Sequence, residues 1–104
     1  MGNAALSIQI IANPAAHNGE AAHAIEWLQT HAVPMNRFGS RQANITITRT
    51  ERAGDASRIA RTCSADIVIA LGGDGIAHEC AQGLMPRPQS ERPVFGLLPF
   101  EGVA

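Results

Sequence analysis

Five consecutive apolar residues, Ile67-Val68-Ile69-Ala70-Leu71, stop at Gly72-Gly73-Asp74-Gly75, and a helical period then resumes at Ile76, Ala77, Cys80, Ala81 and Leu84. A strand apolar on both of its alternating faces suits a parallel sheet covered on two sides. The pattern therefore calls for helices above and below a sheet, with a glycine-rich turn where this strand passes into its helix.

The rest of the chain supplies matching pieces. Residues 6–12 mix β-branched and apolar side chains and break at Asn13-Pro14, as a strand entering a loop does. Over residues 19–32 the positions Ala21, Ala24, Ile25, Leu28 and Ala32 recur at three and four, which predicts an amphipathic helix. Val33-Pro34 is expected to end it, because proline lacks a donor and restricts the residue before it. Residues 35–43 have no period and read as a solvated connection, followed by a strand over residues 44–48 that closes at Thr50. A second helix is expected from about Ala53, with Ala56, Ile59, Ala60 and Cys63 inward and Asp55, Arg58 and Arg61 outward. A polar link from Met85 to Pro93 leads to a fourth strand over residues 94–98, ended by Pro99.

Strands alternating with helices predict an α/β fold: a Rossmann-like, open, mainly parallel sheet with helices on both faces and right-handed crossovers. A helix beyond the fourth strand is missing from this pattern. The sequence thus reads as a truncated unit, a partial domain over residues 6–104, whose uncovered sheet could take up a partner or a second copy.

Composition narrows the chemistry. The chain has 104 residues, room for one domain, and eight arginines against nine carboxylates, too balanced for a polyanion binder. All eight basic residues are arginine, which removes the side chain that a Walker-type loop, a Schiff base or a lysine general base requires. Trp27, Phe38, Phe95 and Phe100 are the whole aromatic set, a poor platform for stacking bases, so nucleic acid is not expected as a partner. Cys63 and Cys80 read as free thiols; neither a disulfide framework nor a zinc set can be drawn from them. The opening segment lacks a basic region and a span of sufficient length, which predicts a cytoplasmic protein without a transmembrane segment.

In such sheets, ligands collect at the carboxyl ends of strands. Two loops lie there: residues 13–19 after the first strand and residues 72–75 after the third. Glycines at 72, 73 and 75 can expose amides beside a helix terminus, a nest that suits phosphate. Asp74 within that nest would repel phosphate unless it binds magnesium, orients a ribose or accepts a proton; as the plain alternative it caps the following helix. His78 and Glu79 are expected in the first turn of that helix, near whatever Asp74 holds, with surface and first-turn charge roles as alternatives. His17 and Thr50 lie on the same edge, where both a nucleotide contact and a structural role are open.

Asn13-Pro14 with Gly19, Thr50-Glu51-Arg52 ahead of Ala56, Asp66 before the apolar strand, and the segment GGDGIAHECAQGLM together resemble the catalytic domain of the diacylglycerol kinase family. Gly83-Leu84-Met85 and Arg87-Pro88 after the His78-Glu79 pair look most like the sphingosine kinases within it. The resemblance implies the ATP-binding part of a lipid kinase that transfers the γ-phosphoryl group of ATP to a lipid hydroxyl of diacylglycerol or sphingoid-base type. It implies ATP and Mg2+ as cofactors and a second domain completing the lipid site, with transient contact at the membrane surface. Asn13, Gly19, Thr50, Gly72, Gly73, Asp74, Gly75, Ile76 and His78 would meet the nucleotide, with Asp74 and Glu79 as catalytic residues, Asp74 also metal-binding and Glu79 supporting the glycine loop. Family members continue after Leu98-Pro99 with a hydroxyl-bearing nucleotide segment, whereas this chain has Phe100-Glu101-Gly102-Val103-Ala104. Two other readings stand beside this one: a non-catalytic remnant domain acting through protein association, and a soluble-substrate kinase of the NAD kinase type.

Overall fold

A computed structural model describes residues 5–16 and 18–99. Five strands form one sheet in the order β2-β3-β1-β4-β5. β1 (Leu6–Ala12) lies at the centre, parallel to β3 (Arg41–Arg49) on one side and to β4 (Ile67–Gly72) on the other. β5 (Val94–Pro99) extends the parallel set beyond β4, and the two-residue β2 (Arg37–Phe38) runs antiparallel at the opposite edge. The Rossmann-like reading holds: the chain moves from β1 to β3, then back across β1 to β4.

That reversal puts helices on opposite faces, since right-handed crossovers in opposite directions must leave the sheet on opposite sides. Ile25 of α1 (Glu20–Trp27) packs with Ile8, Ile10, Ala12, Ala43 and Leu71 on one face. On the other, α3 (Asp55–Thr62) and α4 (Asp74–Leu84) bring Ala56, Ala60, Ile76, Cys80 and Leu84 onto Ile11, Val68 and Ala70. Burial pushes the Cys80 thiol up to about 11, with the neighbouring Glu79 charge a smaller cause. α3 and α4 approach closely because Gly83 is buried against the Ser57 carbonyl, where a side chain would collide. Arg87 then closes the C-terminal end of α3, one guanidinium nitrogen donating to the carbonyls of Ala60 and Cys63 at 3.0 and 2.8 Å.

Two segments depart from expectation. Val33-Pro34 does not end the first helix. A turn of π-helix over Leu28–Ala32 follows α1, the Val33 amide donating to the Leu28 carbonyl, and leads into a last turn, α2 (Val33–Met35). Pro34 is tolerated because it falls at the start of that turn, where no intrahelical amide donor is needed. Residues 35–43 are likewise more than a connection. Asn36, at φ +60°, stops the helix, and Gly39-Ser40 joins β2 to β3 in a tight hairpin whose first central residue, Gly39, has φ +64°. The polar sequence hid an edge hairpin that has no core face to advertise.

The last strand is sparsely covered: Val94, Leu97 and Leu98 of β5 are all exposed. Among the described residues no helix is long and apolar enough to cross a membrane.

Candidate functional site

The crevice of this sheet opens between β1 and β4, where neighbouring strands send their helices to opposite faces and their loops part. Asn13 turns the chain as it leaves β1, its side-chain oxygen accepting from the Ala15 amide at 3.0 Å and its carbonyl from Ala16 at 3.1 Å. The Thr50 amide donates to the Ala12 carbonyl at 2.8 Å, drawing the end of β3 to the end of β1. Gly72, with φ +143°, turns β4 sharply into α4; a Cβ there would sit 2.9 Å from a methyl of Ile76 and would strain the backbone as well. This turn brings the first residues of α4, and their unpaired amides, to the crevice.

A cleft of about 380 Å³ results. Asn13 and Ala15 line it from β1, residues 50–53 and Ala56 from the β3-to-α3 side, and Gly75, Ile76 and Glu79 from α4. Of the residues expected at a nucleotide, Asn13, Thr50, Gly75 and Ile76 are therefore brought together, with Glu79 beside them. Gly72, Gly73 and Asp74 immediately precede Gly75 in the chain but are outside the lining, the last two exposed. Gly19 instead starts α1 with φ +87°, and His78 is exposed and outside the lining. His17 and residues 100–104 lie outside the described residues.

Asp74 is the first residue of α4, not its cap. Gly73 occupies the cap, and no side chain caps this end. Among the described residues the Asp74 carboxylate has no hydrogen bond or ion pair, which removes the capping alternative and leaves the group open to a ligand. His78 and Glu79 consequently fall in the second turn of α4, one turn later than expected. Glu79 Oε1 accepts from the Gly54 amide at 3.0 Å, across the cleft wall.

Residues 50–54 were the part of the site that sequence reasoning undervalued. Asp55 Oδ2 accepts from the amides of Glu51 and Arg52 at 2.8 and 3.1 Å. The Glu51 amide is the main reason that the Asp55 carboxyl titrates below its ordinary range; the Arg52 amide and the Arg58 guanidinium add to it, while desolvation opposes. Arg52 is the one cation in the lining, and its guanidinium has no hydrogen bond or ion pair among the described residues. The adjacency Thr50-Glu51-Arg52 at a strand end was the available signal; the strand order that brings it to Asn13 was not.

An open carboxylate, a helix terminus, a lone arginine and two polar side chains can together hold a charged, phosphate-bearing ligand. Among the described residues no group of three His, Cys, Asp or Glu could hold a metal unaided. One carboxylate joined by ligand phosphates is how magnesium is commonly bound, so Asp74 fits that ion with a nucleotide present.

Residues 7–100 match the diacylglycerol kinase catalytic domain. The chain belongs to that family. Three solved structures described as a diacylglycerol kinase from Bacillus anthracis str. Sterne have similar folds. Two share 27% identity and a TM-score of 0.68, each over 89% of this chain but only 32% and 30% of its own length. The third shares 26% identity at a TM-score of 0.67, over 89% of this chain and 32% of its own. The chain thus spans about a third of those kinases. No curated protein matches it.

Proposed function

We propose that this chain is the nucleotide-binding part of an ATP-dependent lipid kinase. The observation that carries the reading is the convergence of Asn13, Thr50 and the start of α4 on one cleft, next to Asp74, whose carboxylate has no partner among the described residues. Nucleotide phosphates would meet the amides of residues 73–76 on the α4 side and, from the facing side, the Arg52 guanidinium, with Thr50 beside Arg52 and Asn13 at the end of β1. Asp74 would hold magnesium, which offsets phosphate charge when bound. It would also stand where it can accept the proton of an attacking lipid hydroxyl as the γ-phosphoryl group moves to that oxygen. The acceptor belongs to the diacylglycerol or sphingoid-base class, met at the membrane surface by an otherwise cytoplasmic protein and bound with the help of a second domain.

Titration of the isotopically labelled chain with ATP and magnesium tests the first half. Amides of Thr50, Gly73 and Gly75 should shift together and saturate. A well-dispersed spectrum that stays unchanged at millimolar nucleotide would refute the assignment.

A further inference from the structure

The amides of the cleft-wall loop are taken up by two carboxylates from different helices. Asp55 is local, at the start of α3, and serves Glu51 and Arg52. Glu79 reaches in from α4, 25 residues away along the chain, to Gly54. It is the only hydrogen bond among the described residues that joins this loop to the helix forming the opposite wall. A carboxylate whose oxygen is engaged by a main-chain amide is suited to fixing a distance. The position of Gly54 matters because its φ of +93° sets how the loop turns into α3 and so where Thr50 and Arg52 face.

We propose that Glu79 is a positioning residue: through the Gly54 amide it fixes the spacing between the wall bearing Thr50 and Arg52 and the wall bearing Gly75 and Ile76, and thereby sets nucleotide affinity. This rests on the nucleotide reading above. Glu79 acts through the loop, and its role requires a hydrogen-bond acceptor, whereas binding a metal or taking a proton requires charge and basicity.

The E79Q and E79A variants of the 104-residue chain separate these. Glutamine keeps a carbonyl acceptor but has neither charge nor basicity. Amide hydrogen exchange at Gly54 reads the tie without ligand, and titration with magnesium and ADP reads the affinity. In E79A, Gly54 exchange should speed up about tenfold and affinity should fall about tenfold, as loss of one charge-assisted hydrogen bond implies. The urea midpoint should fall by no more than this one tenfold step, about 1.4 kcal/mol, accounts for, leaving the chain folded. E79Q should stay within about threefold of wild type on both readouts. Binding as weak in E79Q as in E79A would overturn the proposal in favour of a charge-dependent role, and unchanged Gly54 exchange in E79A would overturn the tie itself. A wild-type chain that binds no nucleotide, while E79A still frees the Gly54 amide, overturns the nucleotide assignment and supports the tie.

Discussion

Replacing Gly83 with alanine sets two effects of opposite sign against each other. In a helix interior alanine is favoured over glycine by about 1 kcal/mol, so propensity alone makes G83A a stabilising change. Packing opposes it. A Cβ on Gly83 would lie 2.2 Å from the Ser57 carbonyl oxygen and 3.0 Å from the Ala60 Cβ. Carbon–oxygen contacts settle at roughly 3.3 Å or more, so α3 and α4 must part by about 1 Å. The obstructing atom is main chain and cannot rotate away. A gap of that size also forfeits a quarter to a half of each affected dispersion contact, here among Ala60, Cys80 and Leu84. Overpacking of this kind costs about 3 kcal/mol, the upper end of its usual range, which leaves a net loss of about 2 kcal/mol. In a domain of this length that lowers Tm by roughly 8 to 16 °C. Urea unfolding followed by circular dichroism measures the change, with an unaltered slope expected. A variant as stable as the wild type, or more stable, would refute the packing argument and show that the helix pair yields at little cost.

Three further outcomes follow from the same structure. Because no side chain caps α4, D74N should fold with stability within about 0.5 kcal/mol of wild type. In a complete kinase carrying this domain it should lose lipid phosphorylation by at least about 100-fold; wild-type turnover would remove Asp74 from the chemistry. R87A strips donors from the carbonyls of Ala60, Cys63 and Glu91 and should cost about 1.5 to 3 kcal/mol in urea unfolding. R87K should recover less than half, since an ammonium cannot reproduce the guanidinium fork, and full recovery by lysine would contradict that geometry. The Asp55 carboxyl is held below its ordinary value of 3.8, so its stabilising effect is complete above that pH and is lost as pH falls through the lower folded value. D55N should flatten the acid limb of the stability curve between about pH 2 and 5; an unchanged limb would show that the loop amides do not need the charge.

The sequence disclosed those elements whose burial leaves a periodic trace. Ile67, Val68, Ile69, Ala70 and Leu71 lie against covering helices, and both the strand and its two-sided cover could be read from their unbroken apolarity. The hairpin of Arg37 and Phe38 is exposed on both residues, so its pairing with Gln42 and Arg41 left no such trace. Pro34 misled because its cost depends on which amide the local turn requires, and a π-turn changes that register without a compositional sign. At the site, Asn13, Thr50 and Gly75 were legible as strand-end residues. The partner of Glu79 was not, because Gly54 becomes its neighbour only after β4 has crossed β1. Gly19, placed near the nucleotide by the family resemblance, has a left-handed backbone that starts α1, a use that its sequence position did not reveal.

The π-turn over Leu28–Ala32 carries one more residue than an α-helical turn would. Each helical residue advances the chain by about 100°, so that surplus acts as a phase shift on everything after it. What it delivers is Asn36 at the point where its carbonyl accepts from the Ala43 amide at 2.9 Å, directly before β3 pairs Ala43 with Leu6. Helix phase and strand register are thus a single quantity in this half of the molecule. Deleting one residue between 28 and 32 would regularise the helix yet place the hairpin out of step with the sheet, so this segment tolerates changes of side chain far better than changes of length.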